Sequence, residues 1–395
     1  MKLHGRIEPY PGERVIARLA DNPGLPPVAR ATEALLLSSW DSSLDTSGFA
    51  AVLLRPSGSA GDAPAIVLPE ALGYLTPGDI VAISPEEGHV GVLYRRVSRH
   101  NSMLITERCN SFCVMCSQPP RSIDDHHHVD DILRAIALMS PETVELGITG
   151  GEPTLYFEGL LRIIRAARDH LPDTALHVLS NGRLFSYLRY AQEVARARHP
   201  DLVFGVPLYS SVPSTHDHVV QARGAFNQTV RGMMNLARVE QSVELRVVIH
   251  SLTWRELPEL ARFITRNLPF VRQVALMGLE IMGFTRAHLD AVWVDPTEYQ
   301  DELEDAVGEL HSAGIATFIY NHQLCLLRRS LWPFAVKSIS DWKNAYAPEC
   351  DGCAARDQCG GFFASAKYRR SSNIHPLVSR DIDAARSEHE LLPVI

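Results

Sequence analysis

The 395-residue sequence has no apolar run long enough to cross a bilayer. The stretches around Ile148 and from Phe49 to Leu54 fall far below the ~18 residues a span needs, which excludes a membrane-embedded protein. A secretory signal is not expected either, because no apolar h-region follows Lys2 and Arg6. The reducing cytoplasm is therefore the expected compartment, and cysteines are expected as thiolates and not as disulfides. No block of Lys and Arg interrupts the formal charge of −8, which argues against a nucleic-acid phosphate backbone as main partner. Low complexity is absent: 46% apolar and 21% charged residues are the balance of a folded chain with room for two or three domains. The most informative gap is in cysteine, since none occurs between Cys116 and Cys325.

What is present lies on either side of that gap. Cys109, Cys113 and Cys116 form a C-x3-C-x2-C run; Cys350, Cys353 and Cys359 form a C-x2-C-x5-C run, with Cys325 upstream. Structural thiols would be scattered on apolar faces, whereas three cysteines so close together, interrupted by Asn110 and Ser111, read as a loop. Four thiolates complete the protein ligation of a cubane iron–sulfur cluster, and three leave one iron open. Zinc is the rival for the second set, because C-x2-C knuckles are frequent zinc sites and Cys325 could close an all-thiolate tetrahedron. For the first set zinc is a weaker rival, with no fourth thiolate or nearby histidine evident before His126. The run Asp124-Asp-His-His-His-Val-Asp-Asp131 reads as a solvated loop ahead of a helix capped by Asp130 or Asp131.

Residues 1–100 are strand-like: Arg14–Ala20, Phe49–Leu54, Ile66–Leu68, Asp79–Ile83 and Gly91–Val97 are punctuated by Pro, Gly and Ser turns, and form a β-rich domain. From Ser102, strands alternate with the amphipathic segments Ile132–Met139, Phe157–Leu171, Phe185–His199, Phe226–Val239 and Glu256–Leu268, the rhythm of a repeated parallel βα unit. Strands near 103, 145, 177, 204, 246 and 274 make six such units. Cys109, Gly151, Asn181 and Ser210 follow or end strands, where parallel barrels carry their chemistry. A helix, Glu298–Ala313, and a strand, Ile315–Tyr320, lead to the cysteine-rich end. The tail past Ser371 is polar and is expected to be loosely ordered.

The cysteine triad is followed one strand later by Gly150-Gly151-Glu152-Pro153, and strand Leu176–Leu179 runs into Ser180-Asn-Gly-Arg183. On these motifs the chain resembles the radical S-adenosylmethionine (SAM) superfamily over roughly Met103 to Ile319. Val203–Ser211, His216-Asp217 and Gly224-Ala-Phe-x2-Thr229 are similar to the family's fourth strand and the helix after it. Three further segments resemble the C-type member of the His-Xaa-Ser system radical SAM maturases: Met115-Cys-Ser-Gln-Pro-Pro120, Ser338-Ile-Ser-Asp-Trp-Lys-Asn344 and Cys359-Gly-Gly-Phe-Phe-Ala-Ser365. One departure is Met115, which stands where many members place an aromatic residue against adenine; a polarizable thioether can pack there instead.

The resemblance implies an α/β fold: a partial (β/α)6 parallel barrel at 101–322, an auxiliary iron–sulfur lobe at 323–370 and a polar tail at 371–395. It implies a [4Fe-4S] cluster on Cys109, Cys113 and Cys116, with SAM chelating the open iron. Gly150 and Gly151 would let the backbone approach the SAM ammonium, Glu152 would accept from it, and Pro153 would stiffen the turn. Ser180, Asn181 and Ser210 are candidates for SAM's polar groups, with ordinary capping as the alternative. Arg246 is a candidate carboxylate partner, with a structural role as its alternative. His250 and Met277-Gly-Leu-Glu280 stand at the mouths of the fifth and sixth strands, a structural role for the histidine and an adenine contact for the second segment being the expectations. Cys325, Cys350, Cys353 and Cys359 would hold an auxiliary [4Fe-4S] cluster that accepts a surplus electron. The implied activity is a 5′-deoxyadenosyl radical modifying, by cross-linking, a His-Xaa-Ser precursor peptide. Its partners would be an external one-electron reductant and a paired radical SAM maturase, with no nucleic acid and no membrane. The β-rich domain is the candidate grip for the peptide leader, though no motif marks it. Two other classes stay open: a small-molecule radical SAM enzyme such as a cofactor-biosynthesis cyclase, and a non-enzymatic iron–sulfur redox carrier. The Gly-Gly-Glu-Pro turn argues against the carrier, which needs no SAM.

Overall fold

The computed structural model describes residues 3–58, 64–337 and 345–379. Segment 338–344, which contributed to the finer resemblance, and residues 380–395 of the tail lie outside the described residues.

Seven strands form the first sheet: β1 (His4–Arg6), β2 (Val15–Ala20), β3 (Glu33–Leu37), β4 (Ala51–Leu54), β5 (Ile66–Val67), β6 (Ile80–Ser84) and β7 (His89–Tyr94), with a short helix α1 (Pro27–Arg30) after β2. Their order is β1-β7-β6-β2-β3-β4-β5, antiparallel from β1 to β2 and parallel from β2 to β5. Strands β1 and β3 escape the sequence pattern. β3 reads Glu-Ala-Leu-Leu-Leu and is buried along almost its whole length, so no alternation of apolar and polar residues betrays it.

The second sheet begins at β8 (His100–Leu104) and continues through α2 (His127–Leu138), β9 (Glu145–Thr149), α3 (Phe157–His170), β10 (Ala175–Leu179), α4 (Leu188–Ala197), β11 (Leu202–Pro207), α5 (Pro213–Val220), α6 (Ala225–Arg238) and β12 (Ser242–Val248). It ends with α7 (Leu257–Asn267), β13 (Gln273–Met277), α8 (Gly283–Ala287), α9 (Leu289–Val292), α10 (Gln300–Ser312), β14 (Ala316–Tyr320) and β15 (Ala335–Val336). All eight strands are parallel and lie in chain order, giving a curled half-barrel. The six expected units therefore become eight strands. β14 extends the barrel sheet, and the two-residue β15 pairs Ala335 with Ile319 and Val336 with Tyr320, too short a run for any periodicity to show. Alternate residues Leu146, Ile148, Leu176 and Val178 pack under the helices beside Leu160, Ile163 and Ile164, which fixes the face each strand turns inward.

Two local expectations change. α2 starts at His127, so Asp130 is a first-turn residue and Asp131 lies one position further in, neither of them a cap, and Asp131 binds Arg14, just before β2, at 2.6 Å. Asp125, expected in solvent, is fully buried and accepts from Thr106 Oγ1, Glu107 N and Tyr156 Oη. The start of the tail is also not loose: Ile374 and Leu377 are buried, and Ala354 N donates to Leu377 O at 2.9 Å. Among the described residues no helix is long and apolar enough to cross a membrane.

Candidate functional site

The three-cysteine loop follows β8 at the C-terminal end of the half-barrel, and three neighbouring loops grip it. From the loop after β10, Arg183 donates to Asn110 O (2.6 Å) and Ser111 Oγ (3.0 Å) while Gln228 of α6 accepts from its Nε, and Asn181 Nδ2 reaches Asn110 Oδ1 at 2.7 Å. From the end of α5, Val219 O and Val220 O accept from Val114 N (2.9 Å) and Phe112 N (3.0 Å). From the segment after β13, Phe284 N donates to Cys116 O, Thr285 Oγ1 to Met115 O and His288 Nδ1 to Val114 O, at 2.8, 2.8 and 3.0 Å. Sequence reasoning gave no role to Arg183, Thr285 or His288.

Gly150-Gly151-Glu152-Pro153 closes against the strand leading into that loop. Gly151 N donates to Thr106 O (2.7 Å) and Glu152 N to Arg108 O (2.8 Å). A Cβ on Gly151 would meet Arg108 O at 2.2 Å, and one on Gly150, whose φ is +154°, would meet Thr106 O at 2.4 Å, so both positions exclude a side chain. Glu152 is fully buried; Oε1 accepts from Thr154 N, Thr154 Oγ1 and Ser180 Oγ, and Oε2 accepts from Asn181 N at 2.7 Å. Pro153 opens a single 3-10 turn. The carboxylate thus ties the turn after β9 to the turn after β10.

The other candidates divide by what they touch. Ser210 is buried with its hydroxyl between Glu256 and Val212 N. Arg246 lies on the concave face, its Nε 3.5 Å from Glu244 and its Nη2 3.4 Å from Met277 Sδ. Met115 is buried among Tyr209, Val219, Val220 and Ala225. Tyr209, which sequence reasoning passed over, is held un-ionised first by burial and then by the charges of Cys113 and Cys116, which places it beside the triad. His216 Nδ1 accepts from Tyr209 N, and Asp217 caps α6 through Phe226 N at 2.8 Å. His250 is fully buried at the end of β12, its Nε2 has no hydrogen-bond partner among the described residues, and burial pulls it down to about 4.

The thiols feel one another. Burial, then the charges of Cys116 and Cys109, pushes Cys113 up to about 12, while burial and then the Glu152 charge pushes Cys109 up to about 11; burial also raises Cys116. Neutral thiols are thus favoured until a cation compensates their charge. Among the described residues no three His, Cys, Asp or Glu side chains stand as a ready-made metal group.

Residues 103–264 match the family model of the Radical SAM superfamily. Over that stretch the barrel is similar to a radical SAM domain. A GTP 3',8-cyclase of Petrotoga mobilis (strain DSM 10674 / SJ95) is 27% identical over 224 residues, which are 54% of this chain and 64% of that protein. The chain thus spans under two thirds of the length of the curated relative it matches. Streptococcus suis SuiB bound to S-adenosylmethionine shares the fold with a TM-score of 0.51 at 11% identity, covering 73% of this chain and 77% of that one. Native anSMEcpe with bound AdoMet and Kp18Cys peptide is similar at a TM-score of 0.49 and 14% identity, over 72% of this chain and 99% of that one. A radical SAM barrel implies a [4Fe-4S] cluster and SAM, and three free, half-buried thiols on one loop fit the cluster.

Beyond the barrel, Cys325, Cys350, Cys353 and Cys359 line one small cavity with Leu324, Ala355 and Phe362. Burial and then the charges of the other three sulfurs push Cys325 up to about 11, against a lowering hydrogen bond from His375; burial also raises Cys359. Backbone amides point at sulfur here: Leu377 N at Cys353 Sγ (3.4 Å) and Gly361 N at Cys359 Sγ (3.5 Å). Four thiols around one cavity with N–H donors beside them suit an iron–sulfur cluster, and the same thiols suit zinc.

Proposed function

We propose that this radical SAM enzyme modifies a ribosomally made precursor peptide of the His-Xaa-Ser type, by cross-linking, and that the lobe holds an auxiliary [4Fe-4S] cluster on Cys325, Cys350, Cys353 and Cys359. When bound, the first cluster and SAM supply reductive cleavage to a 5′-deoxyadenosyl radical able to take hydrogen from carbon. Cys109, Cys113 and Cys116 hold that cluster. Glu152 and Ser180 spend their polar atoms on one another and on backbone, so their part, with Gly150, Gly151 and Pro153, is to shape the SAM-facing turn. Ser210 does the same for the turn after β11. Asn181, Met115 and Arg246 remain the direct SAM contacts of this proposal. An external one-electron reductant and a paired maturase are its proposed partners, and the cytoplasm its proposed compartment.

The observation that carries the peptide reading is a partly open cleft walled on one side by barrel loops (Leu279, Ile281, Asn321) and on the other by the lobe (Gly360, Phe362, Arg369). It shares Gln323, Gly361 and Phe362 with the four-cysteine cavity. A bond formed after hydrogen abstraction leaves one electron too many, and only this thin wall separates a substrate from the proposed acceptor. Co-expression with a His-Xaa-Ser peptide, followed by fragment mass analysis, should give a peptide lighter by a pair of hydrogens. Unaltered peptide beside vigorous SAM cleavage would overturn the peptide reading. The Petrotoga mobilis relative favours a second reading, a small-molecule cyclase, which incubation with GTP tests directly.

A further inference from the structure

The connection from β13 to α10 touches two places at once. Its two ends, Gly278, Leu279 and Ile281 on one side and Trp293 and Val294 on the other, line the cavity between barrel and lobe. Its middle, Phe284, Thr285 and His288, makes three hydrogen bonds to the backbone of Val114, Met115 and Cys116. Thr285 is fully buried and its hydroxyl spans 170 residues of sequence to reach Met115 O at 2.8 Å. The first half has no slack. A Cβ on Gly283, whose φ is +52°, would stand 2.5 Å from Cys116 O, and one on Gly278 would stand 2.4 Å from Asn321 O. Ser251 N anchors the far end on Val292 O at 2.9 Å. Packed contacts of this kind move between discrete arrangements and do not deform continuously.

We propose that segment 278–294 couples the cavity to the three-cysteine loop, with Thr285 and His288 as positioning residues, so that filling the cavity sets the geometry in which Cys113 and Cys116 are presented. A substrate in the cavity then tightens the loop, and the loop tightens the cavity, because coupling between two sites is reciprocal. This gates cluster chemistry on substrate arrival without any residue of the segment touching a reacting atom. The inference rests on reading the cavity as the substrate's, but its test uses no substrate, so failure of the peptide reading leaves the result intact.

The test is a double-mutant cycle on the full chain purified anaerobically, read by backbone hydrogen exchange of residues 112–117. Trp293→Leu, which opens the cavity wall, should speed that exchange roughly five-fold or more, the lower end of ordinary coupling. Thr285→Val should speed it as well, and adding Trp293→Leu to Thr285→Val should change nothing further. Thr285→Ser, which keeps the hydroxyl, should restore the wild-type response. Trp293→Phe gives a smaller opening should the leucine variant fold poorly, and unchanged exchange in α3 and α4 certifies the fold. Wild-type exchange in 112–117 after opening the cavity, or effects of Trp293 and Thr285 that simply multiply, overturns the coupling.

Discussion

The two cysteine sites are built on opposite plans. The barrel triad sits in a loop whose backbone is hydrogen-bonded by residues from three other loops, each rooted on its own strand of the parallel sheet. The lobe's four cysteines sit among short 3-10 turns and are closed by the returning tail, where Leu377 offers its amide to Cys353. One site is positioned by the fold at long range, the other by local turns and one hook. The first plan suits a site that must present an open coordination position at a fixed angle, and the second suits a site that only needs its metal enclosed.

The sharpest way to break that contrast is Cys113→Ala. It should take 5′-deoxyadenosine release to background while leaving the lobe's metal in place; retained release would remove the triad from the chemistry. Next in size is Cys359→Ala. SAM binding and some 5′-deoxyadenosine should survive, iron should fall from about eight to about four per chain, and peptide product should fall much further than SAM cleavage. Stoichiometric zinc with about four irons in the wild type would instead make the lobe structural. Product at the parental ratio from a folded Cys359→Ala protein would end the electron-acceptor role.

A smaller effect is expected from Arg183→Ala, which removes the clamp on Asn110 and Ser111. Losing a part-buried charged hydrogen bond costs about 1–3 kcal/mol, here paid by the loop, so iron retention against a chelator should drop several-fold with little change in melting temperature. An equal loss in the lobe would show that the two sites are not held separately. The smallest effect concerns pH in the metal-free protein. Folding raises Cys113 from its ordinary 9.0 to about 12. An acid raised by folding contributes stability that is intact below 9.0 and is lost as pH climbs toward that folded value. Alkaline unfolding of the metal-free chain should therefore begin above pH 9 and be suppressed by the cluster, which circular dichroism can follow.

The candidate ligands were legible because chemistry concentrated them locally: two cysteine runs and one four-residue turn are visible by spacing alone. The parallel strands were legible because helices and strands alternate in period. What holds the site was not, since Thr285 meets Met115 across 170 positions and Arg183 meets Asn110 across 73, and a lone threonine or arginine carries no spacing signal. Ile374 and Leu377 were lost in a polar tail for the opposite reason, being two apolar residues where three or four make a pattern. Glu152 was visible, yet its partners were not: a carboxylate in a turn can face a ligand or its own backbone, and only the fold decides.

Ile16, Ile80, Ala82 and Tyr94 of the first sheet belong to the same apolar cluster as the barrel helices, and Arg14 is pinned to Asp131 of α2. That sheet is consequently a shoulder of the barrel and not a swinging arm. A peptide gripped there would be held at a constant span from the cysteine loop, as along a tape measure. On a peptide gripped there, inserting residues between the gripped and the modified stretch should walk the modification toward the grip by the same count.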